Sequence, residues 1–107
     1  MAILSYLRFR LSDQADLDAF ASDVASMRKL AAEQPGYRWA EVGQDPADPR
    51  VWIVVSEWDD VEQVRAWEHH PDHEALYDVW EPHYREPFVH RRFVPWVRPE
   101  GEIRPPE

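Results

Sequence analysis

Cysteine is absent from the sequence, which excludes disulfide bonds, thiolate metal ligands, iron–sulfur clusters and a cysteine nucleophile. Glycine is scarce as well: only Gly36, Gly43 and Gly101 occur, and they form no glycine-rich phosphate loop. No serine lies in a nucleophile elbow. Nucleotide-dependent and hydrolytic chemistries therefore have no support in the sequence.

Basic residues are outnumbered, since 12 Lys and Arg stand against 21 Asp and Glu and the formal net charge is −9. The longest basic cluster, Arg91 and Arg92, is only a pair, and an acidic field opposes the binding of a phosphate backbone. No apolar run approaches the length that spans a membrane, and the opening residues MAILSYLRFR do not read as a signal peptide. We therefore predict a soluble, cytoplasmic protein without a nucleic-acid or membrane partner.

The apolar content is high, with 44% hydrophobic residues and six tryptophans in 107 residues. A chain of this length supports one domain with a single core, which we place at residues 1–97. Residues 98–107, RPEGEIRPPE, are too polar and proline-rich to pack by themselves. We predict that they form a C-terminal tail that is either disordered or laid across a partner.

The first part of the sequence predicts a strand and a helix. Residues 3–11 alternate along the chain as a two-sided strand does. Ser12 or Asp13 is expected to cap the helix that follows, and Pro35 and Gly36 are expected to end it near Gln34. The apolar stripe of this helix recurs at spacings of three and four and consists of Leu17, Phe20, Val24, Met27 and Ala31.

A hairpin, two further helices and a last strand complete the pattern. Residues 37–42 and 51–58 predict two strands joined by a turn over residues 43–50, GQDPADPR. Asp59 or Asp60 is expected to cap a short helix that reaches His69. Pro71 fits the first turn of another helix that runs to about residue 81. Residues 88–97 read as the fourth strand, with Pro95 at an edge or bulge.

The order β-α-β-β-α-β predicts an α+β, ferredoxin-like fold with a four-stranded antiparallel sheet and its helices on one face. By side-chain alternation, we expect the other face to carry Leu4, Tyr6, Trp52 and Val54. An exposed apolar surface of that size usually binds a partner. We therefore expect a homodimer in which two such sheets pack face to face.

Several short stretches also carry a resemblance. Glu57 and Trp58 end the third strand, Trp67 lies in the next helix, and the step HHPDHEAL follows it. The preceding segment EQPGYRWAEVGQDPADPRVWIVV contains a Pro-Gly turn and the middle hairpin. Together these stretches resemble the antibiotic biosynthesis monooxygenase (ABM) family of dimeric α+β barrels, and the resemblance spans residues 2–97.

The resemblance implies a chemistry. Many members of the family oxidise phenolic or anthrone-like polycyclic molecules with O2, without metal, flavin or haem, between the helices and the sheet. O2 is a triplet and reacts slowly with closed-shell molecules, whereas an enolate or phenolate can pass it one electron. Such a site needs an apolar aromatic cleft, a hydrogen-bonding group near the acidic oxygen, and a cation or donor for the developing negative charge.

The resemblance places Trp67 at the cleft tryptophan of the family, and Gln63, one helical turn earlier, where an amide (usually asparagine) often lies. His73, Tyr77, Trp80 and Tyr84 recur at spacings of four, three and four, so they share one helix face. Facing a cleft, they would supply aromatic walls and a histidine that exchanges protons near neutral pH. The alternatives are a core tryptophan, a solvated glutamine and an ordinary amphipathic stripe.

The strands supply the remaining candidates. Arg92 is the candidate cation beside a developing oxyanion, and His90 is a second proton carrier; alternatively, both only offset an acidic surface. Ser5 interrupts an apolar row and either touches the ligand or bonds to a neighbouring carbonyl. We thus expect catalytic roles for His73, Gln63 and Arg92. Substrate contacts are expected from Trp67, Tyr77, Trp80, Ser5, Leu7 and His90.

Metal and haem sites receive less support from the sequence. His69 and His73 have the spacing of two ligands on one helix, but Pro71 lies between them, so we expect no metal site. A related branch of the family binds haem in the same cleft and degrades it. This chain has Leu7 where that branch has a cleft asparagine and Tyr77 where it has the axial histidine, although tyrosinate can ligate haem iron.

The leading hypothesis is a cofactor-independent, homodimeric monooxygenase that oxidises an aromatic or polyketide-like small molecule with O2. The alternative is a dimeric barrel that binds haem or another hydrophobic ligand without turning it over. A third possibility is a dimeric scaffold whose interior is filled by its own side chains. A hollow interior would separate the first two hypotheses from the third.

Overall fold

The computed structural model of the protein describes residues 1–96. The predicted tail at residues 98–107 lies outside this part of the chain, as does residue 97, and the domain bounds 1–97 stay a prediction. Within residues 1–96, no helix is both long enough and apolar enough to cross a membrane.

The predicted α+β, ferredoxin-like order is confirmed. Four strands form one antiparallel sheet in the order β2-β3-β1-β4. A single 3-10 turn, Glu81–His83, leads into the last strand. The strands and helices are β1 (Ile3–Leu11), α1 (Leu17–Ala31), β2 (Tyr37–Asp45), β3 (Asp48–Trp58), α2 (Val61–Glu68), α3 (Pro71–Trp80) and β4 (Tyr84–Phe93).

The helices begin at side chains that accept hydrogen bonds from free backbone N–H groups. Asp60 caps α2, as predicted, and its Oδ1 accepts from the Gln63 N–H at 3.1 Å. Pro71 occupies the first turn of α3. The prediction that Ser12 or Asp13 caps α1 is wrong, because the cap is Asp16. Ser12 is only 4% exposed, and its hydroxyl lies 2.8 Å from Nδ1 of His83.

The hairpin turn is shorter than predicted. Asp45 pairs directly with Asp48, so β2 and β3 continue through most of residues 43–50 and the loop is reduced to two residues. The side chain of Asp45 accepts a hydrogen bond from the Ala47 N–H at 2.8 Å, which closes the turn. Aspartate favours such local bonds, and the remaining turn-forming residues sit in the strands.

The fourth strand also lies earlier than predicted. It begins at Tyr84, directly opposite Leu11, and ends at Phe93 instead of continuing to residue 97. The irregularity expected at Pro95 occurs instead where the pairing shifts between Arg8 and Arg10. Pro87 lies in this shifted stretch, where a residue without an N–H loses no regular ladder bond.

The predicted assignment of Trp52 and Val54 to the open face is wrong. Trp52 pairs with Phe9 and Val54 with Leu7, and residues directly opposite each other point to the same side of a sheet. Trp52 is 6% exposed, and its ring centroid lies 5.0 Å from that of Phe20 in α1. The open face instead carries the opposite parity of each strand: Leu4, Tyr6 and Arg8, Ile53, Val55 and Glu57, Trp39 and Glu41, and Val89, Arg91 and Phe93.

Aromatic rings build the core between the sheet and the helices. Phe20 of α1 meets Phe9 of β1 and Trp80 of α3 edge to face, with centroids 5.7 and 4.9 Å apart. At the other end of the sheet, Trp58 and Val64 are each 1% exposed and join β3 to α2. The two clusters lie at opposite ends of the same sheet face and leave the space between them for a cleft.

Candidate functional site

Two connected cavities lie between the helices and the inner face of the sheet. The inner cavity has a volume of about 160 Å³ and is lined mainly by apolar and aromatic side chains. The outer groove, about 430 Å³, opens beside α2, α3 and β4. Both share the walls formed by Leu7, Val54, Ser56, Trp67, His73, Tyr77 and Phe88. The outer groove alone falls in the range of small-molecule sites, roughly 300–1,000 Å³.

Trp67, which the resemblance places at the cleft tryptophan of the family, forms one wall shared by both cavities. Its ring stacks on Trp58 at a centroid distance of 6.3 Å, and Trp58 is itself fixed by a hydrogen bond from its Nε1 to the Ser56 hydroxyl at 3.0 Å. Because its neighbour is locked, Trp67 presents a rigid aromatic surface to the cleft.

His73 is the polar group best placed for chemistry in this space. Its ring meets Trp67 edge to face at 5.0 Å, and its Nδ1 is buried without a hydrogen-bond partner in the described part of the chain. Burial lowers the pKa of His73 below its ordinary value of 6.5, although the carboxylates of Glu68 and Glu74 act to raise it. The lowered pKa favours the neutral ring near pH 7, and the ring lines both cavities.

Three aromatic residues of the predicted stripe close the cleft. Tyr77 is 44% exposed at the entrance, and its ring lies 5.7 Å from that of Tyr84. Burial raises the pKa of Tyr84 to about 12, and nearby Tyr77 adds to the rise, so Tyr84 stays a neutral hydroxyl. Trp80 is buried and donates its indole N–H to Asp23 at 2.9 Å, which leaves it as an apolar wall of the inner cavity.

The first and last strands contribute three of the candidate residues, Ser5, Leu7 and His90, to the lining of the outer groove. Leu7 lines both cavities, and Ser5 and His90 line the groove. Nε2 of His90 lies 3.1 Å from Oε2 of Glu68. This contact ties the end of α2 to β4 beside the opening.

The structure does not bring Gln63 or Arg92 into the lining of either cavity. The Gln63 amide packs against Gly36, so closely that a Cβ at Gly36 would lie 2.0 Å from Oε1 of Gln63. The guanidinium of Arg92 donates to the carboxylate of Glu68. Arg92 is on the predicted side of the sheet, but its charge is directed to Glu68.

Sequence reasoning gave no site role to Ser56, Glu68 and Phe88 and placed Val54 on the open face, whereas all four line the outer groove. Glu68 directly follows Trp67, and the bases His90 and Arg92 share one face of β4. A contact between Glu68 and these bases could therefore have been predicted from the sequence. Phe88 lines both cavities. Within residues 1–96, no three His, Asp or Glu side chains are grouped as metal ligands.

The fold and the cleft define a ferredoxin-like α+β protein with a small-molecule-sized space beneath its sheet. Residues 6–79 match the family model described as "Antibiotic biosynthesis monooxygenase". The match covers well over half of the chain, and the protein belongs to this family.

Two individual proteins are similar to this chain in sequence or in fold. The "Uncharacterized protein YqjZ" of Bacillus subtilis (strain 168) is 39% identical over 62 residues, which cover 54% of this chain and 53% of that protein. The match thus spans about half the length of this curated relative. A dimeric ferredoxin-like protein of unknown function from Thermobifida fusca is 27% identical over 88% of this chain and 91% of its own, with a TM-score of 0.72.

A third relative has a described activity. SnoaB, a cofactor-independent oxygenase from Streptomyces nogalater, superposes with a TM-score of 0.77 over 94% of this chain and 98% of its own. Its sequence is 16% identical, so this likeness concerns the fold.

Proposed function

We propose that the protein is a cytoplasmic, homodimeric and cofactor-independent monooxygenase that oxidises an aromatic or polyketide-like small molecule with O2. The observation that carries the proposal is the unpaired, buried Nδ1 of His73 beside an aromatic-walled cavity. A neutral imidazole in such a place is suited to removing a proton from a bound acidic ligand.

The cleft residues divide the work between binding and proton transfer. Trp67, Tyr77 and Trp80 form the aromatic walls, while Ser5, Leu7 and His90 contact the part of the substrate in the outer groove. His73 takes the proton of an acidic C–H or O–H group. Gln63 and Arg92 receive no direct contact with the substrate in this proposal, because neither lines the cleft.

The reaction balances without a cofactor. After proton transfer to His73, the substrate anion passes one electron to O2, and the resulting radical and superoxide combine to a peroxide. Loss of water from this peroxide converts a CH2 group into a carbonyl, so that one oxygen atom enters the product and the other leaves as water. The proton on His73 returns to the departing oxygen.

The homodimer is proposed from the open face of the sheet. Leu4, Tyr6, Ile53, Val55 and Phe93 form its apolar part, and an apolar sheet face needs a cover. Nε of Arg8 is buried on this face without a partner in the described residues. Glu41 and Glu57 lie towards the β2 edge, where they already pair with Arg28 and Arg38 of the same chain. Arg8 and Arg91 lie towards the β4 edge. A twofold axis parallel to the strands would place each acidic half opposite a basic half.

Oxygen consumption tests the proposed activity. Purified protein, treated with a chelator and free of flavin and haem by absorbance, is mixed with anthrone and related acidic polycyclic substrates. We expect O2 uptake above the rate in buffer, with one quinone-type product formed per O2. Uptake at the buffer rate with every substrate would contradict the proposal.

A second candidate function is ligand binding without turnover. It is favoured by one observation: Glu68 holds Arg92 away from the cleft, so the predicted cation for a developing oxyanion does not line it. The absence of turnover together with saturable binding of an aromatic ligand would select this second function.

A further inference from the structure

Glu68 joins the last turn of α2 to β4 at the opening of the outer groove. Its carboxylate is 20% exposed and contacts two bases at once: Oε2 lies 3.1 Å from Nε2 of His90, and Oε1 accepts from the Arg92 guanidinium. Both bases lie on the cleft side of β4. Glu68 therefore offsets the positive charge of Arg92, which would otherwise be available to a ligand on the cleft side of β4.

The lining of the outer groove is acidic as a result. It includes Glu68, Glu74 and Asp78 but neither lysine nor arginine. Nδ1 of His69 lies 3.4 Å from Oε1 of Glu74, and His73 is held neutral by burial. Carboxylates around a low-dielectric opening repel an anion and tolerate a neutral molecule.

A cation is nevertheless within reach of the groove. Arg92 pairs in register with Ser5, and Ser5 lines the groove. Cross-strand neighbours on one sheet face are about 5 Å apart at Cβ, and the arginine side chain is longer than this distance. Without its bond to Glu68, the guanidinium of Arg92 would be able to turn to a ligand in the groove.

We propose that Glu68 is a specificity-determining residue that makes the cleft select neutral aromatic ligands over anionic ones, by holding Arg92 away from the groove. The inference rests on the proposed function in one respect, namely that the cleft binds a small aromatic molecule. Glu68 contacts no reacting atom in this account. It acts by keeping the positive charge of Arg92 away from the ligand.

Calorimetric binding of two matched probes tests this role. 1-Naphthol is neutral at pH 7, and 1-naphthoate is an anion that has a carboxylate in place of the hydroxyl on the same ring system. We expect wild-type protein to bind naphthol and to discriminate against naphthoate. Glu68→Gln should bind naphthoate on the order of tenfold more tightly than wild type does, with naphthol affinity unchanged. The gain in naphthoate affinity should shrink as salt is added, because salt screens the interaction between solvent-exposed charges.

Two variants separate the charge effect from a structural one. Glu68→Gln with Arg92→Gln should lose the gained naphthoate affinity, because no guanidinium remains to be freed. Glu62→Gln removes an acid from the exposed side of the same helix and should bind both probes as wild type does. Unchanged naphthol binding in every variant shows that the cleft is intact.

Each other result overturns a defined claim. If naphthol binds but Glu68→Gln gains no affinity for naphthoate, the role of Glu68 is wrong and the proposed cleft stands. If the double variant keeps the gained affinity for naphthoate, Glu68 does not act by holding Arg92 away from the groove. The same conclusion follows if Glu68→Gln no longer binds naphthol. If neither probe binds to any variant, the aromatic cleft itself is contradicted.

Discussion

At the scale of single residues, His73 combines burial with the absence of a partner. Its ring lines the cleft, its Nδ1 is buried without a hydrogen-bond partner among the described residues, and an unpaired buried polar atom costs about 1–3 kcal/mol. Such an atom is expected where a ligand completes the bonding. The stripe of His73, Tyr77 and Trp80 was readable from helical spacing, but spacing alone did not distinguish a cleft wall from an ordinary core face.

The lowered pKa of His73 predicts how stability depends on pH. Well above pH 6.5 the ring is neutral in the folded and the unfolded chain, so it adds nothing to the pH dependence of the free energy of unfolding. Below pH 6.5 the unfolded chain binds a proton that the folded chain resists, and the free energy of unfolding falls as pH falls towards the lowered pKa. Urea unfolding of wild type and His73→Gln at a series of pH values measures this slope.

We expect His73→Gln to have the flatter profile between pH 6.5 and the lowered pKa. His69→Gln serves as the control, because the side chain of His69 is 79% exposed. Identical slopes for wild type and His73→Gln in this window would show that His73 is not desolvated in the folded protein.

Residue-scale prediction failed where a side chain's partner lies far away in the sequence. Gln63 was placed in the cleft from its position one turn before Trp67, but its amide packs against Gly36, 27 residues earlier. Arg92 was placed on the correct side of the sheet, but its bond to Glu68 depends on how the end of α2 approaches β4. Neither contact leaves a periodic signal in the sequence.

At the scale of elements, local sequence patterns predicted the order of the strands and helices correctly. They predicted the residues at which these elements begin and end less well. Alternation located β1, and Asp60 and Pro71 located the starts of α2 and α3. The run VWIVV in β3 is apolar at both parities, so its inward side was assigned wrongly, and only the pairing of Trp52 with Phe9 decides it. The start of β4 is likewise set by its pairing with β1.

The turn between α1 and β2 gives a prediction at this scale. Gly36 has φ +82°, and a Cβ there would overlap the Gln63 amide of α2. Gly36→Ala should lower the free energy of unfolding by about 1–2 kcal/mol from backbone strain alone, and the Gln63 side chain must also move. Chemical denaturation measures the change.

Gly43→Ala is the matched control, since nothing lies within 4 Å of a Cβ at Gly43. In a strand, alanine is favoured over glycine by about 0.5–1 kcal/mol, so this variant should be neutral or slightly stabilised. Equal stability of both variants would contradict the close packing of α2 on the turn.

At the scale of the whole molecule, the two faces of the sheet differ: one borders the cleft, and the other exposes apolar side chains that we propose a second copy covers. Composition and element order predicted the exposed apolar face, although two of its expected members, Trp52 and Val54, belong to the inner side. The hollow between the two aromatic clusters had no sequence signal, because tryptophans that fill a core and tryptophans that border a cavity follow the same pattern.

The proposed dimer predicts a specific effect of Arg8. If a second copy covers its guanidinium and supplies a carboxylate, Arg8→Glu breaks a buried pair, which costs about 3–5 kcal/mol. Sedimentation velocity should then show dissociation at concentrations at least about 100-fold higher than for wild type.

Arg65→Glu changes an exposed arginine of α2, away from the open sheet face, and should dimerise as wild type does. Wild-type protein that sediments as a 12.7 kDa monomer at micromolar concentration would contradict the dimer. Arg8→Glu that dimerises as tightly as wild type would contradict the role of Arg8.

Two measurements on His73→Gln test the role of the cleft most directly: its rate of O2 uptake with anthrone, and its affinity for anthrone. Removal of a general base slows a reaction by about 100-fold or more, whereas the aromatic walls Trp67, Tyr77 and Trp80 are unchanged in this variant. We predict that His73→Gln binds anthrone with wild-type affinity and loses at least that factor in its maximal rate of uptake. Uptake at the wild-type rate would contradict proton transfer to His73 in this cleft.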